Sequence, residues 1–106
     1  MQIVNAKGQP YPSVIDLRNG KPIHFPKGNL TKTPKEQRVA WGRQERGQYI
    51  TEWIARGYPV PEGGWARYDI HHIHPRELGG NNDFDNLVPV LREVHQSEFN
   101  EFWRNW

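Results

Sequence analysis

The run Asp69-Ile70-His71-His72-Ile73-His74-Pro75 sets three imidazoles and a carboxylate side by side, and His95 follows them, so four of the five histidines lie between residues 71 and 95. Neutral imidazole is a common ligand for zinc and other late first-row ions, and its pKa also suits it to accept a proton near neutrality. Paired histidines can therefore divide two jobs. Hydrolysis of a phosphodiester needs both: a base that deprotonates an in-line water, and a cation that neutralises charge on the phosphate and the leaving oxygen. Adjacent residues of a regular strand point to opposite faces, so both histidines serve one site only where the strand ends or bends; Pro75 and the loop behind it supply such an end. With no cysteine in the chain, thiolate zinc sites, cysteine nucleophiles and disulfide scaffolds are excluded.

The stretch YDIHHIHPRELGGNNDFDNLVPVLREVH resembles the HNH nuclease motif, the ββα-metal or His-Me finger. Within that family it is similar to the toxin nuclease domains of polymorphic bacterial toxins, including those on LXG-type secreted proteins. Five ordered features carry the resemblance: a His-His pair closing a first strand, a Pro three residues on, a Gly-Gly turn, Asn-Leu opening a second strand, and a His on the next helix. It covers residues 65–106.

The resemblance implies that His71 and His95 are metal ligands and His72 the general base. Asn86 would hold the middle position of the signature, bracing the loop or orienting the base. Asp69 stands where colicin-type members also carry an acid that supports the catalytic site. Those members place a third histidine four residues after the helical one, and here that residue is Phe99. The ion is therefore expected to rely on two histidines, water and phosphate, with His74 or Glu98 as additional ligands or as residues behind them. The implied activity is an endonuclease with one divalent ion and a DNA substrate, RNA being the alternative. The implied setting is a monomeric toxin module of a larger secreted protein, acting in the target-cell cytoplasm and opposed by a cognate immunity protein. Two neutral imidazoles suit Zn or Ni, whereas an open site filled by water and phosphate admits Mg or Mn. A second reading stands beside this one: a non-catalytic, zinc-stabilised nucleic-acid-binding module whose histidines only hold the finger together.

The elements that must position these groups follow from pattern. Residues 65–73 are aromatic and β-favouring and end at Pro75; Leu87 to Leu91 is a short strand limited by Pro89; the cluster Gly79-Gly80-Asn81-Asn82 turns between them. Beyond them Leu91, His95, Phe99, Phe102 and Trp106 recur at helical spacing, predicting a helix with one apolar face. Upstream, Thr33, Pro34 and Glu36 form a capping box that predicts helix over residues 34–57, bent near Gly47 and stopped at Gly57. Residues 1–33, broken by proline and glycine, read as an irregular basic lead-in with two short strands around Asn19-Gly20. The expected fold is a single α+β domain: irregular extension, helix, then a ββα-metal core over residues 65–106.

At 106 residues with 12% aromatics, the chain has room for one core and too many large rings for a disordered tail. The net charge of +2 hides a division. Residues 1–48 hold nine Lys or Arg against three acids; the remainder holds five Arg against nine acids. A basic half suits a polyanion, and Arg43, Arg46, Arg67 and Arg76 are the candidates for phosphate contact. No apolar run reaches membrane-spanning length, and MQIVNAKGQP carries no secretory signal, so no membrane partner is expected.

Overall fold

Side-chain alternation along one pair of strands governs the architecture. The computed structural model describes residues 3–106. In chain order it carries a small hairpin of β1 (Ile15–Asp16) and β2 (Lys21–Pro22), helix α1 (Arg43–Ala55), strands β3 (Tyr68–His72) and β4 (Leu87–Leu91), and helix α2 over residues 92–104. Strands β3 and β4 are antiparallel, with Ile70 opposite Pro89, His71 opposite Val88 and His72 opposite Leu87. Pro89 has no N–H for the ladder, yet the strand is tolerated because this sheet has only two members.

Period-two alternation sends Ile70 and Leu87 to one face, where they join Tyr49 and Trp53 of α1 and Phe84 in a buried cluster. Val88 and Val90 go to the other face and pack with Ile23, Ile73 and Phe99. The hairpin is thus a middle layer, with α1 on one side and α2 plus the N-terminal extension on the other. That extension is integral to the fold. Asn5 Nδ2 donates to the Phe102 carbonyl at 2.9 Å, Arg18 donates to the Phe84 carbonyl at 2.8 Å, and the Tyr11 ring meets Phe25, Phe99 and Phe102 edge-on.

The fold is α+β, but the first helix differs from the capping-box expectation. Pro34 keeps an extended backbone (ψ 144°), Thr33 makes no side-chain cap, and only a single 3-10 turn, Lys35–Gln37, follows. Tertiary bonds explain the difference: the Thr33 N–H donates to the Glu77 carbonyl at 2.7 Å, and its own carbonyl accepts from Arg38 Nε at 3.0 Å. Stitched to the loop after β3, this stretch runs extended until Gly42, and α1 begins at Arg43. Helix α1 then passes through Gly47 without a break and ends before Gly57, whose φ of 89° no β-carbon-bearing residue adopts comfortably.

The last helix also departs from a simple stripe. Phe99 and Phe102 are buried, but Leu91 and Trp106 are exposed. An α-helical turn Arg92–Val94 leads into a π-helical turn His95–Phe99, then Asn100–Arg104 returns to α-helix. Among the described residues no helix is long and apolar enough to cross a membrane.

Candidate active site

Strand β3 ends at His72, and its last two residues face opposite ways, as the pleat requires. His71 faces α2: its ring lies 5.1 Å from that of His95 and 4.2 Å from that of Phe99, centre to centre. His72 faces the extended stretch before α1, where Trp41 meets its ring edge-on at 4.7 Å. Because the sheet stops here, both rings and His95 nevertheless line one cleft of about 520 Å³.

Each histidine is held by a different partner. His95 Nδ1 donates to Asp69 Oδ2 at 3.0 Å, and Arg92 Nε holds the other oxygen, Oδ1, at 2.9 Å. A carboxylate on Nδ1 fixes the tautomer and leaves the Nε2 lone pair free, an arrangement that raises the basicity of a ligating imidazole. Asn82 fixes His72. The Nδ2 of Asn82 donates to the Ala40 carbonyl at 2.9 Å, so its Oδ1 is the acceptor for His72 Nε2–H at 2.8 Å. Nδ1 of His72 is then the unprotonated nitrogen. Burial lowers the His72 pKa, against the Asn82 bond that raises it, and Arg76 and His95 lower it further.

His71 is the unusual member. Its Nε2 is buried without a hydrogen-bond partner among the described residues, and burial, with His95 and then His72 adding to it, holds its pKa well below the ordinary imidazole value. An unpaired buried nitrogen of this kind costs about 1–3 kcal/mol. A cation would remove that cost. Two imidazoles on one tetrahedral ion, each at about 2.1 Å, hold their ring centres roughly 5 Å apart. The spacing of His71 and His95 therefore fits a shared ion. Among the described residues no group of three His, Cys, Asp or Glu side chains is arranged to hold an ion by itself. His74 is committed elsewhere, its Nε2 donating to the Leu78 carbonyl at 2.6 Å, and Glu98 is exposed. Neither joins the cleft that His71 and His95 line.

Asn86 braces the loop. Its Oδ1 accepts from the His74 N–H at 2.8 Å, and its Nδ2 donates to the carbonyls of His74 and Asn81. The bond to the His72 ring comes from Asn82 instead. Gly80 completes the same loop. A β-carbon there would lie 1.7 Å from the His74 carbonyl oxygen, so no other residue fits without moving the backbone.

Of the four arginines expected near phosphate, Arg76 lines the cleft, anchored through Nε to the Val39 carbonyl. Arg46 instead spends its guanidinium on the carbonyls of Tyr68 and Trp65, bracing α1 against β3, and Arg43 and Arg67 are exposed outside the cleft. The cleft recruits Arg38 and Arg104, with Trp41 and Trp103 as aromatic walls. Arg38 comes from the basic half of the chain and Arg104 and Arg76 from the acidic half, so linear charge division does not map onto the site. Asn82 was legible only as a turn residue, and the cleft positions of Arg38 and Arg104 left no local signal in the sequence.

These features define an α+β domain in which a hairpin and the following helix bring three histidines to an arginine-lined cleft. Comparison adds a partial relative: the chain is 50% identical over 30 residues to "Probable mobile endonuclease C" of Enterobacteria phage T4, a stretch covering 28% of this chain and 14% of the phage protein. The match therefore spans about one-seventh of that relative's length. No family model matches the chain, and no solved structure matches it.

Proposed function

We propose that this chain is a metal-dependent endonuclease of the HNH, or ββα-metal, type that hydrolyses DNA phosphodiester bonds. The observation that carries the reading is the division of labour in the cleft. One histidine has an orphaned buried nitrogen beside a carboxylate-backed second histidine, and a third is held with a free Nδ1 by an amide. The partial likeness to a phage endonuclease supports the same chemistry from sequence.

In this reading His71 and His95 hold the divalent ion, with Asp69 orienting His95. An ion held there would supply Lewis-acid stabilisation of the charge that develops in phosphodiester hydrolysis. His72 takes a proton from the attacking water at Nδ1, which Asn82 keeps unprotonated by engaging Nε2. Depressed basicity from burial keeps His72 neutral, and so competent as a base, at neutral pH. Arg38, Arg76 and Arg104 bind the phosphate backbone, which positions the strand without reading its sequence. The toxin setting, secretion as part of a larger protein and the cognate immunity partner are supported by the motif resemblance of residues 65–106.

Parallel digests of plasmid DNA and total RNA, with Mg, Mn, Ni or Zn added to chelator-stripped protein, test the proposal. Metal-dependent nicking of DNA that His72→Ala abolishes is the expected result. Intact DNA and RNA under every metal, with nucleic-acid binding retained, overturns it in favour of the zinc-stabilised binding module.

A further inference from the structure

We propose that the side-chain oxygen of Asn100 is a third protein donor to the cation held by His71 and His95, brought there by the π-helical turn in α2. The inference rests on the metal-site reading above and extends it to a residue that the motif does not contain.

Helical geometry carries the argument. In a regular α-helix a residue five positions on is rotated by about 140° and faces away, while the fourth shares the face. Here the Asn100 N–H donates to the His95 carbonyl, the i to i+5 bond that defines a π turn. The extra residue in that turn sets Asn100 one turn below His95, on the same side. Both line the cleft with His71 and His72. Phe99, which α-helical spacing would have placed under His95, is fully buried and lies against the His71 ring, 4.2 Å away at 30°. The π turn thus exchanges a phenyl group for a carboxamide at the cleft.

Three observations point the same way. The His71 Nε2 is buried and lacks a partner among the described residues. No group of three His, Cys, Asp or Glu side chains among the described residues is arranged to hold an ion, Asp69 being bonded to the Nδ1 of His95. The Asn100 side chain makes no hydrogen bond among the described residues and sits exposed in the cleft wall, free to turn its oxygen inward. π turns are infrequent and concentrate at functional sites. A carboxamide oxygen is a hard, neutral donor. Combined with two imidazoles it makes a mixed nitrogen and oxygen set, suited to Mn, Ni or Zn and tolerant of Mg. Such a set carries no formal charge, so the ion keeps its full attraction for a phosphate.

The test is metal binding, independent of cleavage. Chelator-stripped protein is titrated with Co(II), followed by calorimetry and by the visible absorption of the bound ion. Asn100→Ala is expected to weaken Co(II) binding about tenfold or more and to change the absorption band, because a coordinated oxygen is lost. Asn100→Asp is expected to bind at least as tightly as the unmodified chain, since it keeps an oxygen and adds charge. Circular dichroism confirms folding, which an exposed position leaves intact. If Asn100→Ala binds Co(II) like the unmodified chain while His95→Ala does not, Asn100 is not a ligand and the two-histidine site stands. If Asn100→Ala instead lowers only DNA affinity, the residue contacts phosphate and the proposal is overturned. Failure of the unmodified chain to bind Co(II), Mn(II) or Zn(II) overturns this proposal together with the metal reading beneath it.

Discussion

Asn82 and His72 form a directed pair: the amide oxygen of Asn82 accepts from His72 Nε2 at 2.8 Å because the amide nitrogen is already committed to the Ala40 carbonyl at 2.9 Å. This chain of bonds runs from the extended stretch before α1, through the glycine-rich loop, to the end of β3. It assigns the ring proton to Nε2 and leaves Nδ1 unprotonated.

Asn82→Leu removes that control. The expected result is a fall in kcat of roughly a hundredfold, within the 10²–10⁴ that a positioned base contributes, with Co(II) affinity unchanged. Asn82→Asp restores an acceptor and should recover part of the loss. Single-turnover cleavage of plasmid DNA reads both. An Asn82→Leu variant as fast as the unmodified chain would show that the ring is oriented by something else.

Replacing one histidine at a time separates base from ligand. His72→Ala should abolish cleavage and retain Co(II), whereas His95→Ala should weaken both. Asp69→Asn should act like a mild His95 change, lowering metal affinity by about 10- to 100-fold, because the carboxylate behind a ligating imidazole sets its basicity. Calorimetry beside cleavage assays distinguishes these patterns; loss of metal in His72→Ala would contradict the assignment.

Gly80 is a packing requirement of the site. A methyl group there meets the His74 carbonyl, so Gly80→Ala should destabilise the protein by about 1–3 kcal/mol and reduce cleavage by moving the loop that Asn86 and Asn82 share. Urea denaturation measures the first effect. Gly8→Ala at the N-terminal turn, where nothing lies within 4 Å, is strained only by its φ of 77° and should leave cleavage alone.

Burial of His71 makes the ion-free protein acid-sensitive. Its folded-state pKa is held well below the ordinary value, so once the pH falls below about 6.5 the unfolded chain takes up a proton that the folded chain refuses. Stability is therefore complete above about pH 6.5 and declines as pH is lowered, by up to about 1.4 kcal/mol per pH unit for this one group. Urea midpoints in chelator from pH 7.5 to 5 check the slope, and His71→Phe should reduce it to the part that His72, also depressed by burial, contributes. A midpoint that does not change over this range would contradict the burial argument.

Arginine substitutions test which residues hold the polyanion. Arg38→Ala and Arg104→Ala should each weaken DNA binding and reduce the salt dependence of affinity by about one unit of slope, whereas Arg43→Ala and Arg67→Ala should change neither. Fluorescence anisotropy across a salt series measures this. Equal effects from all four would place the backbone on the outer surface instead of the cleft.

The histidines, the short paired strands, the Gly-Gly turn and the terminal helix were readable from residue type and period, because strand alternation and helical spacing are local properties of the chain. So was the hairpin around Asn19-Gly20, where glycine alone takes the positive φ of 70° comfortably. The helix predicted over residues 34–57 is present but begins only at Arg43. Thr33, its capping residue, is bonded through its N–H to Glu77 in a loop more than forty positions away and through its carbonyl to Arg38, and these bonds outweigh a local preference worth about 1 kcal/mol.

Residue identity alone determined which groups could take protons and bind a cation, since imidazole, carboxylate and guanidinium chemistry does not depend on the fold. Only the tertiary structure decided how they are shared out. Asp69 goes to His95 because odd-numbered residues of β3 face α2. Asn82 goes to His72 because even-numbered residues face α1. Asn100 reaches the cleft because one turn of α2 closes with five residues. Each of these depends on which faces pack together, a long-range result of burying Trp53, Val88, Phe99 and Phe102 that no local pattern encodes.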